Sequence, residues 1–153
     1  MRKAEEADVE TVLRLVAQLD DDASDSSKAA LSASEATRIL RRMATYPNYA
    51  VYLAEADGRV VGMFALLIMD NLAHGGAPSA VVEDVCVDAT MRGRGIGRAM
   101  MSFALGLARQ NGCYKLALSS NSARARAHEF YRSLGFAQHG LSFHVELTPP
   151  GRR

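Results

Sequence analysis

Tryptophan is absent from this 153-residue chain, and cysteine (two), proline (four) and histidine (four) are scarce. Cys86 and Cys113 are too few for a disulfide framework, and their spacing matches no zinc signature. Both lie in apolar stretches, so buried free thiols of a reducing compartment are expected. No two of His74, His128, His139 and His144 have metal-ligand spacing, so no metal site is expected. An excess of one charge is also missing: 18 Lys and Arg against 17 Asp and Glu leave a net charge of +1. That balance argues against wholesale binding of nucleic acid or membrane surfaces. The longest apolar run, residues 60–69, is far too short to span a bilayer. The opening MRKAEEADVE has no apolar core of a signal peptide, which leaves the cytoplasm as the expected compartment.

What is present is an ordinary globular composition, 48% apolar and 23% charged, in a length suited to one domain. One domain over residues 1–148 with a tail at 149–153 is expected. After a short edge strand at the N-terminus, Val9, Val12, Leu13, Val16 and Leu19 fall at helical spacing. The acidic DDDASDSS stretch then reads as an exposed loop. A second helix is expected over 34–45, with Ser34 as its cap. Asp57-Gly58 is a hairpin signal between strands at 48–56 and 59–69. A β-branched run at 80–88 predicts a further strand. It is followed by a helix carrying Ile96, Met100, Phe103 and Leu107, a strand at 114–119, a helix at 123–134, and closing strands at 136–137 and 141–147. The strand–helix–strand unit demands a parallel pair and the hairpin an antiparallel one, so a mixed sheet with helices on both faces follows.

The most informative stretch is Arg92-Gly93-Arg94-Gly95-Ile96-Gly97, followed by Arg98, at the junction of a strand and a helix. The first turn of a helix carries unpaired N–H groups and the positive end of the dipole. Glycines let the backbone approach a bulky anion, so the stretch reads as a phosphate cradle ringed by three arginines. A Walker loop would need Gly-Lys-Ser/Thr, which does not follow. A dinucleotide-binding loop would need an acidic residue on the next strand, which instead ends in Ser119-Ser120-Asn121.

The stretch resembles the acyl-CoA pyrophosphate loop of the GNAT acyltransferase superfamily, R/Q-x-x-G-x-G/A, through Arg92, Gly95 and Gly97. The opening MRKAEEADVETVLRLV, the strand VVEDVCVDATMRGRGIG and the helix AHEFYRSLGF resemble three further segments of that family, in its order. The resemblance implies the α/β (α+β) GNAT fold, a mixed and mostly antiparallel sheet of about six to seven strands with about four helices on both faces. It implies acetyl-CoA as co-substrate and transfer of its acetyl group to a primary amine. It further implies that Val85, Cys86 and Val87 offer backbone groups to the pantetheine arm, that Gly93, Arg94, Ile96 and Arg98 join the loop glycines and Arg92 at the pyrophosphate, and that Asn121 and Arg124 contact the cofactor.

Acyl transfer to an amine requires a base for an ammonium of pKa about 10.4 and benefits from an acid for a thiolate whose thiol has pKa about 8.5. Tyr131 resembles the tyrosine that many members of the family place near the CoA sulfur, and is the candidate acid; packing of Phe130-Tyr131 into the core is the alternative. Glu83 is the candidate base, because a carboxylate inside the apolar strand VVEDVCV is costly unless paired or solvated from a cleft. Asp84, expected on the opposite face, is its rival. His74 stands in the loop before that strand, where it could line an acceptor cleft. A small-molecule or peptide amine is the expected acceptor, and a homodimer through edge strands is conceivable. A catalytically silent acyl-CoA sensor on the same fold is the competing reading.

Overall fold

The computed structural model describes residues 1–20, 31–145 and 147. The acidic stretch between the first two helices therefore lies mostly outside the described residues. The chain forms two compact units, Met1–Leu118 and Ser119–Arg153.

In the first unit the strands β1 (Arg2–Lys3), β2 (Tyr49–Ala56), β3 (Arg59–Met69), β4 (Ser79–Val87) and β5 (Lys115–Ala117) form one sheet in sequential order. The first three pairings are antiparallel and β4–β5 is parallel. Asp57 and Gly58, both at positive φ (51° and 71°), make the hairpin turn between β2 and β3. Helix α1 (Val9–Asp20) packs on β3 and β4, and α3 (Ile96–Gln110) packs on the same two strands.

Side-chain parity places the two helices on opposite faces. Val51, Leu53, Met63 and Ala65 share one face with Leu15 of α1 in a buried cluster. The intervening residues Tyr52 and Phe64 turn the other way, where Tyr52 meets Phe103 of α3 edge-on, with ring centroids 5.5 Å apart. The buried stripe of α3 is Met100, Met101, Ala104 and Ala108. Burial of side chains the size of Phe64, Leu15 or Met100 contributes about 1.5–3 kcal/mol each. Met100 of α3 packs tightly over Gly62, where a Cβ would lie 2.8 Å from the Met100 sulfur and 2.9 Å from the Cys86 carbonyl oxygen.

Helix α2 (Ala33–Met43) is capped by Ser32 rather than Ser34. The Ser32 hydroxyl accepts from the Glu35 N–H at 3.3 Å while Glu35 reaches back to the Ser32 N–H at 3.2 Å, a reciprocal capping box. The second unit contains α4 (Ala125–Ser133), which ends in a turn at Gly135 (φ 88°).

The strand count falls short of the expected six to seven: five strands form among the described residues. Residues 136–137 and 141–145 are not strands. A strand is stable only when its N–H and C=O groups pair with a neighbour. Here Leu141, Phe143 and Val145 alternate as in a strand but are 75%, 87% and 78% exposed, with no ladder beside them.

Candidate active site

Two departures from regular pairing shape the middle of the first unit. First, β4 contains a bulge. Met63 pairs with Cys86 and Ala65 with Glu83, so Phe64 alone faces both Asp84 and Val85. Asp84 takes up the bend with φ 52°, a region that aspartate enters more readily than most side chains. The bulge resets side-chain parity. Glu83 and Cys86, three residues apart, therefore share the face of Met63 and Ala65. Second, the parallel ladder with β5 stops at Val81–Ala117. From Val82 to Val87, β4 runs on with no ladder on that side among the described residues.

Cys86 itself is buried, and its thiol donates to the Leu15 carbonyl at 3.3 Å. Only its backbone is available for a ligand role. Neither cysteine forms a disulfide among the described residues; Cys113 is only half-buried, not buried as expected, and that burial pushes its thiol upward.

The glycine-rich turn after β4 is held from two sides. Asp88 is buried and accepts from the Thr90 hydroxyl at 2.7 Å, from the Thr90 N–H at 3.1 Å and from Arg14 of α1. These hydrogen bonds, led by the Thr90 hydroxyl and then Arg14, hold the Asp88 carboxyl down at about 2. Gln18 of α1 accepts from the Ala89 N–H at 2.8 Å, and Arg92 Nε donates back to the Val87 carbonyl at 3.3 Å. Beyond these anchors Gly93 and Gly95 both adopt φ 79°. A Cβ at either position would enter space with no atom within 4 Å. The first N–H to close onto the turn is that of Ala99, on the Gly95 carbonyl at 3.0 Å. Those of Ile96 and Gly97 have no partner within the helix. Arg92, Arg94 and Arg98 are exposed around this turn, and no acidic residue stands in the first turn of α3. An open, glycine-lined turn with helix-start N–H groups and three exposed arginines around it suits a pyrophosphate.

On the α1 face of the sheet lies an open cavity of about 610 Å³. Glu83 lines it and is exposed there, so the carboxylate is solvated from the cleft rather than desolvated in the strand. Tyr49 shares the cavity. Its hydroxyl is pushed upward by burial first and then by the negative charge of Glu83 and Asp84. His74 is not part of this lining; its ring stacks on Tyr114 at 4.0 Å.

The remaining sequence-derived residues belong to the second unit. Asn121 turns the chain into α4: its side-chain oxygen accepts from the Ala123 N–H at 2.9 Å, and its carbonyl oxygen meets the Arg124 N–H at 3.0 Å and His128 Nε2 at 2.9 Å. Next to it the Ser120 hydroxyl is buried with no hydrogen-bond partner among the described residues, a feature the sequence does not advertise. Tyr131 is half-buried between the rings of Phe130 and Phe136, at 5.2 and 5.8 Å. Burial raises its hydroxyl above the ordinary tyrosine value, and the Arg124 charge partly offsets that. Both sequence readings of this tyrosine, core packing and a held proton, are thus compatible with its surroundings.

The family model described as acetyltransferase (GNAT) matches residues 16–136. The chain belongs to the GNAT family. Its N-acetyltransferase relatives include the glucosamine 6-phosphate N-acetyltransferase of Trypanosoma brucei brucei, 32% identical over 149 residues that cover 96% of this chain and 95% of that one. The aminoalkylphosphonate N-acetyltransferase of Salmonella typhimurium is 36% identical over 97 residues, 63% of this chain and 62% of that one. A solved structure of a putative acetyltransferase from Agrobacterium tumefaciens superposes with a TM-score of 0.87 at 30% identity, covering 95% of this chain and 98% of that one. This GNAT protein therefore has the fold expected from its sequence, and N-acetyltransferase is the enzyme class its family and relatives support. No helix among the described residues is long and apolar enough to cross a membrane.

Proposed function

We propose that this GNAT protein transfers the acetyl group of acetyl-CoA directly to a primary amine, with both substrates bound at once. The observation that carries the reading is the unladdered stretch of β4 that leads, through one 3-10 turn at Ala89–Met91, to the Gly93–Gly95 turn and the N-terminus of α3. Backbone groups of Val85, Cys86 and Val87 would hold the pantetheine arm as an added strand does. Arg92, Gly93, Arg94, Gly95, Ile96, Gly97 and Arg98 would hold the pyrophosphate, with Asn121 and Arg124 as further contacts. When bound, acetyl-CoA supplies a thioester-activated acetyl group.

The residues of the chain then have to move protons. Glu83, solvated in its cavity, takes the proton that an ammonium must lose before it attacks, directly or through water. A backbone N–H beside the β4 bulge offers the developing oxyanion a donor without side-chain rearrangement. Tyr131, with its hydroxyl raised by burial, stays protonated at neutral pH and is the donor to the departing thiolate.

Initial-rate kinetics test this reading. Double-reciprocal lines that intersect, with no acetylated protein formed in the absence of amine, are expected. Parallel lines with a trapped acetyl-protein would contradict direct transfer. Tight CoA binding with no turnover on any amine would favour the sensor instead.

A further inference from the structure

The two relatives named above act on acceptors that carry a phosphate or phosphonate. A site for such a group needs cations or backbone donors to meet its charge. The cavity on the α1 face is built differently. Among the described residues its lining holds no lysine, arginine or histidine. Its charged groups are two carboxylates, Glu83 on β4 and Asp70 just beyond β3, both exposed to the cavity's solvent. Apart from the uncharged amide of Asn48, its walls are apolar or aromatic. Leu67, Ile68 and Met69 come from the end of β3 and Val81 from β4. Tyr46 and Tyr49 stack nearly parallel, centroids 6.2 Å apart and planes 9° apart, and present aromatic surface to it. The volume of about 610 Å³ falls in the range that takes one small organic molecule.

We infer that the acceptor is a cationic primary amine on an apolar or aromatic body that carries no phosphate, phosphonate or carboxylate. Glu83 and Asp70 attract the ammonium, tyrosine faces add to its attraction, and the Leu67–Met69 wall with Val81 covers the body. An anionic tail in the same space would meet two like charges and no counter-charge, which is a selection against it as well as for the amine. This inference rests on the acetyl-transfer reading above.

The test compares kcat/KM, with acetyl-CoA saturating, for phenethylamine, para-carboxyphenethylamine, glucosamine 6-phosphate and an aminoalkylphosphonate. Phenethylamine is expected to exceed each of the three anionic acceptors by at least tenfold. Met69→Arg, at a partly exposed wall position where folding should survive, is expected to narrow the preference over para-carboxyphenethylamine at least fivefold. An anionic acceptor turned over as well as phenethylamine, or a preference unmoved by Met69→Arg in folded protein, would overturn the inference and leave the acetyltransferase reading standing. Turnover of none of the four, with none for a wider amine panel, would remove both.

Discussion

Replacing Gly95 by glutamate separates the cost of backbone strain from the cost to a bound pyrophosphate. Gly95 has φ 79° and ψ −1°. Any L side chain there costs about 1–2 kcal/mol of folding free energy. For a chain of this length that lowers Tm by roughly 2–8 °C. No atom lies within 4 Å of the added Cβ, so nothing clashes and the protein still folds. The carboxylate, however, enters the concavity beside the first N–H groups of α3. Held about 6 Å from a phosphate charge at an effective dielectric of about 20, it repels that charge by about 3 kcal/mol, or roughly 100-fold in Kd. Gly95→Ala is the control, because it carries the same strain without the charge. Calorimetric titration with CoA, beside Tm for each variant, should show similar Tm losses for both but a far weaker Kd for glutamate. A folded Gly95→Glu protein that binds CoA within twofold of the parent would refute the cradle.

Three further substitutions probe other links. Tyr131→Phe should lower kcat with little change in the KM for acetyl-CoA; an unchanged kcat in steady-state assays takes Tyr131 out of the acid role. Gly62→Ala pushes a methyl against the Cys86 carbonyl at 2.9 Å, a backbone atom that cannot step aside, and overpacking of this kind costs about 1–3 kcal/mol; a Tm within 1 °C of the parent (against a shift of ~2–4 °C per kcal/mol) would contradict the packing described. Asp88→Asn tests the anchor of the glycine turn. The folded carboxyl sits at about 2, below its usual 3.8, so its contribution is present above the unfolded value and fades as pH falls through the folded one. Denaturation curves should show parent and variant converging in stability from about pH 4 towards pH 2; a gap that widens on acidification would be the wrong sign.

The chain order of helices and strands was legible because its signals are local. Asp57-Gly58 specifies a hairpin, and the Arg92–Gly97 glycines read as a strand-to-helix turn at positions where Gly93 and Gly95 indeed take positive φ. Val12, Val16 and Leu19 mark the α1 stripe; its most buried member, Leu15, stands three residues after Val12 and four before Leu19 on the same face, a position the expected stripe omits. The bulge was not legible. Nothing in VVEDVCV distinguishes an aspartate at positive φ from one in a regular strand, because a bulge is a property of the pair and not of either strand. For the same reason the expected strand over 141–147 does not form at 141–145, where its neighbours supply no ladder. The cavity gathers residues 46–49, 65 with 67–70, and 81 with 83 from three places in the sequence. Tyr49 and Asp70 carried no motif, and only the sheet register brings them beside Glu83. The support given to the turn by Arg14 and Gln18, some seventy residues upstream, is likewise a consequence of α1 packing on β4.

The proposed transfer of an acetyl group from acetyl-CoA to an amine would occur at the site that begins with β4 and the Arg92–Gly97 turn. Its most direct test is amine-dependent release of CoA thiol, with the product identified by mass spectrometry, for the parent and Gly95→Glu side by side. Thiol release that requires the amine, an N-acetylated product, and loss of both in Gly95→Glu at an acetyl-CoA concentration near the parent KM are expected. Equal turnover by the two proteins, or thiol release with no acetylated amine, would contradict it.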